Sequence, residues 1–71
     1  MTEEEKIAYR KRVGGMIAAI RKDKGLTQEM LSEIAGLDRS NIAKIENGKY
    51  SVGLDVLGKV CKALGVELKI E

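Results

Sequence analysis

The sequence predicts one all-α domain of four helices that ends in a short β-strand. The 71 residues include no proline, so no residue interrupts a helix by lacking a backbone N–H. Four glycines, Gly25, Gly36, Gly48 and Gly65, divide the chain into segments of helical length. The last six residues, 66–71, alternate apolar and charged side chains, which is the pattern of a half-buried strand.

The first helix is bounded by a start signal and a stop signal. Thr2 and Glu5 form a capping-box pattern, and Gly25 follows a basic last turn, as expected at a helix C-terminus. Its predicted apolar face consists of Ile7, Val13, Ile17 and Ile20. Gly14 and Gly15 lie inside this helix and fit either a close approach by another helix or a kink.

The other helices follow from capping residues and apolar spacing. Thr27 is a good N-cap for a second helix over 28–35, and Asp38 for a third from 39 to about 47. Leu31 and Ile34 of the second helix are predicted to pack on Ile42 and Ile45 of the third. A fourth helix is predicted over 54–64, closed by Gly65.

Composition argues against enzymatic and metal-dependent functions. The chain has no histidine and a single cysteine, which removes the commonest proton-transfer residue and the Cys/His zinc sites. No glycine-rich phosphate-binding loop is present. We therefore predict a protein that is not an enzyme and that uses neither metal nor cofactor.

The sequence also predicts a cytoplasmic protein without a membrane segment. The longest apolar run, Met16–Ile20, is far shorter than the roughly 20 residues of a bilayer span. The N-terminus is acidic, unlike a signal peptide, and one cysteine cannot form an intrachain disulfide. A net charge of +2 is too small to indicate a nucleic-acid partner by itself.

The second and third helices have the spacing of a helix-turn-helix. Their connection is a short turn in which Gly36 permits a positive backbone φ. The same pattern would also suit a plain αα-hairpin in a helical bundle, so geometry alone leaves DNA binding open.

Three segments, in order and at matching separations, resemble the Cro and phage-repressor (XRE) family. They are RKDKGLTQE at 21–29, GLDRSNIAKIENGK at 36–49, and residues 57–66. The resemblance covers roughly 13–66 and is much more specific than a lone short motif. It implies a compact, four-helix, lambda-repressor-like DNA-binding domain over 1–71, with 1–12 as an N-terminal helical extension.

The resemblance also assigns roles to individual residues. The base-reading positions at the start of the third helix are Arg39, Ser40, Asn41, Ala43 and Lys44. Arginine and lysine suit guanine, and asparagine suits adenine, which agrees with this assignment. The phosphate-contacting positions are Gln28, Asn47, Gly48, Lys49 and Tyr50. Arg21 and Glu46 match a pair that joins the first and third helices within the protein.

Two departures from the family pattern affect the prediction. Ser32 stands where a small alanine is usual, so its hydroxyl needs a partner such as a carbonyl one turn back. The strand at 66–71 resembles the ending of HipB-type DNA-binding antitoxins. Since it has no partner strand within the chain, we predict that Val66, Leu68 and Ile70 pair two copies into a homodimer.

The predicted function is therefore sequence-specific binding of a palindromic duplex operator by a homodimeric transcriptional regulator, most simply a repressor. One alternative is an antitoxin that represses its own operon and also binds a toxin protein. A second alternative, from another class, is a protein-interaction module that has the fold without DNA binding.

Overall fold

The computed structural model describes residues 1–70, which form four α-helices. The helices are α1 (Glu3–Asp23), α2 (Gln28–Ala35), α3 (Arg39–Glu46) and α4 (Leu54–Leu64). The four helices predicted from the sequence are confirmed. None of them is both long and apolar enough to cross a membrane.

Two of the four helices begin with a side-chain cap. The Glu5 backbone N–H donates to Thr2 Oγ1 at 3.1 Å, and the Thr2 N–H donates to Glu5 Oε1 at 2.8 Å, which completes the capping box. The Met30 N–H donates to Thr27 Oγ1 at 3.0 Å at the start of α2. Asp38 and Gly53 precede α3 and α4 without a side-chain cap bond.

All four helices end in the same way. After each helix comes one glycine with positive φ, namely Gly25 at 71°, Gly36 at 70°, Gly48 at 68° and Gly65 at 69°. The residue after that glycine turns its N–H back to a carbonyl five positions earlier, as Leu37 does to Ser32 at 2.9 Å. This is the Schellman motif, which satisfies the last carbonyls of a helix and favours glycine at the left-handed position.

The core lies where α3 meets α1 and α2, and α4 packs on α2 and contributes to the same core. Its buried members are Ile17, Leu31, Ile42, Ile45, Val60 and Leu64. The Ser32 hydroxyl is also buried and donates to the Glu29 carbonyl at 2.7 Å, which confirms the predicted bond to the preceding turn.

Two predicted core positions are wrong. Ile34 is 58% exposed, because Leu31 and Ser32 form the buried face of α2. At 100° per residue, Ile34 lies about 110° from the middle of that face. Ile7 is 38% exposed, because every residue from 3 to 9 on the first two turns of α1 is exposed.

The predicted C-terminal strand is also wrong, because residues 66–70 contain no strand. Val66 is half-buried for a different reason. It follows Gly65 in the helix-end motif, and its N–H donates to the Cys61 backbone carbonyl at 3.0 Å. Leu68 and Ile70 are 60% and 95% exposed. A strand needs a neighbouring ladder, which residues 1–70 do not supply; Glu71 lies outside the described residues. The resemblance to HipB-type antitoxins and the strand-paired homodimer lose their structural basis.

Gly14 and Gly15, which the sequence left unresolved, have different environments. A Cβ built on Gly14 would lie 2.7 Å from the carbonyl oxygen of Glu46 and still closer to that of Ile45. Nothing lies within 4 Å of the corresponding position on Gly15. Gly14 is therefore the point where the backbones of α1 and α3 meet, and the close-approach interpretation is correct for this residue alone.

Candidate nucleic-acid interface

The five positions predicted to read bases lie on α3 and differ in exposure. Arg39, Ser40 and Lys44 are exposed, whereas Asn41 and Ala43 are half-buried. The opposite side of the same helix is fixed in the core by Ile42 and Ile45, which are 1% and 2% exposed. The core contacts thus hold α3 in one orientation with its polar side turned outward.

The loop after α3 contains the second group of predicted contacts. Asn47 and Lys49 are exposed, Gly48 is buried, and Tyr50 packs against the core. The Lys49 N–H donates to the Lys44 carbonyl at 2.9 Å, so this loop is held to the end of α3.

Lys49 differs from its counterparts at the other three helix ends. The residue after the glycine is Leu26 after α1, Leu37 after α2 and Val66 after α4, and each packs on the core. An apolar residue at this position ordinarily covers the end of its helix. After α3 the position holds an exposed lysine instead. An exposed cation therefore follows the end of the predicted base-reading helix itself.

Arg21 and Glu46 form a buried ion pair between α1 and α3. Arg21 Nε donates to Glu46 Oε2 at 2.6 Å, and Nη2 donates to Oε1 at 2.9 Å. The side chains are only 9% and 5% exposed, so the pair is shielded from water. Arg21 Nη1 also donates to the Leu26 carbonyl at 2.8 Å, which ties the α1–α2 turn to the same group.

Gln28 joins this network from the first position of α2. Its Nε2 donates to Glu46 Oε1 at 3.1 Å, which leaves the second N–H of the amide and its carbonyl oxygen for another partner. The sequence did not indicate this contact, because the two residues are 18 positions apart and lie in no common periodic pattern.

The network changes the acidity of its members. Burial raises the pKa of Glu46, but hydrogen bonds from Arg21 and Gln28 and the charges of Arg21 and Lys22 lower it by more, so the net shift is downward. The hydrogen bond to Glu46 raises the pKa of Arg21. Both residues are therefore charged across the physiological pH range.

A shallow, open groove brings the ends of three helices together. The last turn of α1, the start of α2 and the start of α3 line it through Lys22, Thr27, Gln28, Glu29 and Arg39. The first backbone N–H groups of α2 have no intrahelical partner, and the positive end of its dipole favours an anion. The fold therefore places Gln28, a predicted phosphate contact, and Arg39, a predicted base contact, along the same groove.

Comparison with known proteins agrees with the fold. The model of the HTH_3 family, described as helix-turn-helix, matches residues 17–70. The chain belongs to the HTH_3 helix-turn-helix family. The matched segment contains residues 17–23 of α1 and the whole of α2, α3 and α4. This confirms the helix-turn-helix resemblance that the sequence motifs predicted.

Two sequence relatives of this HTH_3 domain are regulators by name. The immunity repressor protein of Bacillus phage phi105 is 46% identical over 56 residues, which are 79% of this chain and 39% of the repressor. An uncharacterized HTH-type transcriptional regulator of Methanothermobacter thermautotrophicus is 42% identical over 52 residues, which are 73% of this chain and 75% of that protein. The chain therefore spans well under half of the phage repressor.

A solved structure shows the same fold. The restriction-modification controller protein C.AhdI from Aeromonas hydrophila superposes with a TM-score of 0.83 at 37% sequence identity. The match covers 84% of this chain and 91% of C.AhdI. The compared proteins are regulators rather than enzymes by their names, and the described residues of this chain hold no cluster of candidate metal ligands.

Proposed function

We propose that this HTH_3 domain binds duplex DNA in a sequence-specific manner and regulates transcription, most simply as a repressor. The observation that carries the proposal is the polar side of α3, where Arg39 and Lys44 are exposed and Asn41 is half-buried. Ile42 and Ile45 fix the other side of the helix in the core. The names of the phage repressor and the controller protein support the same function.

In the proposed complex, the N-terminal part of α3 lies in the major groove. Arg39 and Lys44 can donate to guanine O6 and N7, and Asn41 can form a bidentate pair with adenine. Ser40 can bond either kind of base, and Ala43 offers a small apolar contact to a thymine methyl group. These side chains supply the sequence preference.

Contacts with the phosphate backbone of DNA, made on both sides of α3, set the register of the domain on the duplex. Gln28 has a free amide N–H at the N-terminus of α2, and Asn47, Gly48, Lys49 and Tyr50 form the loop at the opposite end of α3. Such contacts to phosphate position a protein without reading sequence. Glu46 of the Arg21–Glu46 pair accepts a hydrogen bond from Gln28, so the pair serves to hold Gln28 and α3 in fixed relation.

We further propose that two copies bind a palindromic operator. One recognition helix reads only a few base pairs, and a two-fold dimer doubles the contact by placing two such helices about 34 Å apart. A cytoplasmic location also belongs to the proposal, because the compared relatives come from a phage, an archaeon and a bacterium, in which DNA lies in the cytoplasm. We do not extend the proposal to a toxin partner, since that alternative depended on the C-terminal strand.

Selection from random duplex DNA tests the proposal. The full chain is immobilised, bound duplexes are amplified over several rounds, and the products are sequenced. We expect one enriched motif, repeated as an inverted pair with centres one helical turn apart, about 10 bp, or a multiple of it. Light scattering of the complex should give two chains per duplex. Failure to enrich any sequence would contradict the proposal and favour a protein-interaction module without DNA binding.

A further inference from the structure

The N-terminal part of α1 reaches the loop that follows α3. A Cβ built on Gly48 would lie 2.7 Å from the backbone nitrogen of Lys11 and 2.8 Å from its Cγ. The backbone and the side-chain stem of Lys11 therefore lie directly against Gly48, between Asn47 and Lys49. Gly48 also has a φ of 68°, so both its backbone conformation and its close contact with Lys11 require a residue without a Cβ.

The Lys11 ammonium group forms no ion pair with a carboxylate of residues 1–70. The residue is exposed, and the ion pair among residues 1–70 is the one between Arg21 and Glu46. The neighbours of Lys11 one turn away on α1 are Ile7, Ala8, Gly14 and Gly15, none of which carries a charge. A lysine whose stem packs on protein while its ammonium extends into solvent is suited to an anionic partner.

Lys11 and Lys49 thus bring two exposed cations to either side of one buried glycine. We infer that Lys11 is a DNA phosphate contact that extends the interface beyond the helix-turn-helix, an inference that rests on the proposed DNA binding. Lys11 precedes residue 17, where the family match begins, so the assignment comes from its contact with Gly48 alone. The chemistry is that of a point-charge contact to a phosphate oxygen, which adds affinity without sequence preference.

The test compares the salt dependence of DNA binding in three single variants. K11M keeps an unbranched stem against Gly48 and removes the charge, and K49M does the same in the loop. R12M is the matched control, because it removes one charge from the same turn of α1. The Arg12 guanidinium lies over the ring of Tyr9, 5.0 Å from its centroid, rather than against Gly48.

The measurement is the dissociation constant for a fluorescein-labelled duplex carrying the selected operator, taken by anisotropy over a range of salt. We expect K11M and K49M each to lower the slope of log Kd against log salt by about 1.8, the value for two lost phosphate contacts, one from each chain on the operator. Raising salt from about 50 to about 200 mM should then weaken the wild type about twelvefold more than K11M. R12M should keep the wild-type slope, and all three should keep the wild-type unfolding temperature.

The other outcomes overturn the inference in distinguishable ways. A wild-type slope for K11M beside a lowered slope for K49M would remove Lys11 from the interface and leave the proposed function intact. Equal losses in K11M and R12M would show a general effect of net charge instead of a contact. A wild-type chain that binds no duplex would overturn the proposed function and this contact together.

Discussion

Single residues on α3 have separate tasks because the helix has one buried and one exposed side. Ile42 and Ile45 are almost wholly buried, whereas Arg39 and Lys44 are exposed three and two positions away from Ile42. A substitution on the exposed side should therefore change DNA binding without changing the stability of the domain, and the base-reading predictions depend on that separation.

Replacing Arg39 or Lys44 with alanine should weaken binding to the selected operator by about 1–3 kcal/mol and relax the preference at one base position. The reason is the loss of donors to one base edge. Competition binding against operators with single base changes measures both effects. An R39A variant that keeps both its affinity and its base preference would show that α3 does not read DNA in the proposed way.

Replacing Lys49 with alanine should have a different signature. Loss of a phosphate contact weakens all sequences alike and lowers the salt slope by about one for each bound chain. The comparison uses the selected operator and a scrambled duplex of equal length, with R39A as the contrasting variant. A change in base preference for K49A would place Lys49 in the groove rather than on the backbone.

The Arg21–Glu46 pair predicts coupled losses of stability. Either R21A or E46A leaves its partner as an unpaired charge in a site less than 10% exposed, and should cost about 3–5 kcal/mol of unfolding free energy. The double variant should lose less than the sum, with a coupling of about 0.5–3 kcal/mol. Chemical denaturation of the four proteins measures it, and strictly additive losses would contradict the pair.

At the scale of whole helices, the backbone contact between α1 and α3 predicts opposite effects at two adjacent residues. G14A must push apart two backbones, because its Cβ would meet the carbonyls of Ile45 and Glu46. We expect it to destabilise the fold by at least about 2 kcal/mol. G15A meets nothing within 4 Å and should stabilise α1 by about 0.5–1 kcal/mol.

Thermal unfolding of the two variants provides the measurement, and each serves as the control for the other. The two changes add the same methyl group to the same helix, so differences in helix propensity cancel. Equal effects at both positions would mean that α1 and α3 do not meet at Gly14.

The sequence predicted those elements whose determinants are local. The hydrogen bonds at Thr2, at Thr27 and around the four glycines join residues at most five positions apart. The bounds of the helices therefore follow from nearby residues. Val66 shows the limit of such patterns. Its alternation with Leu68 and Ile70 is typical of a strand, but the helix-end motif at Gly65 accounts for its burial, and no ladder is available in residues 1–70.

The residues of the candidate site come from a sequence motif and stay a prediction, whereas the contacts around them could not be predicted. The motif around 36–49 predicts five base-reading residues of α3, of which three are exposed and two are half-buried in the fold. The bond from Gln28 to Glu46 and the contact of Lys11 with Gly48 join residues 18 and 37 positions apart. Ile34 was misassigned because a small polar residue, Ser32, completes the buried face of α2.

For the molecule as a whole, the lowered pKa of Glu46 predicts how stability depends on pH. Folding lowers this pKa below its ordinary value of 4.5, so the folded state binds fewer protons than the unfolded state. The contribution is present above that value and is lost as pH falls through the folded-state pKa. We expect the unfolding free energy to decrease from roughly pH 5 downward.

The variant E46Q isolates this contribution. It should be less stable than the wild type at pH 7 and should show a flatter dependence between roughly pH 5 and pH 3. E5Q is the control, because it also removes a carboxylate but from a fully exposed site. Hydrogen bonds with Thr2 lower the pKa of Glu5 as well. Denaturant unfolding at a series of pH values checks the prediction, and parallel curves for E46Q and the wild type would contradict it.

The four glycine-ended helices also bear on how quickly the chain acquires its structure. Each helix-end motif is formed by residues within five positions of one another, so a helix can form its C-terminal end before it packs against the other helices. Structures rich in such short-range contacts form in microseconds to milliseconds. The chain has no proline, so refolding has no slow isomerisation step to wait for. Stopped-flow refolding should therefore give a single fast phase.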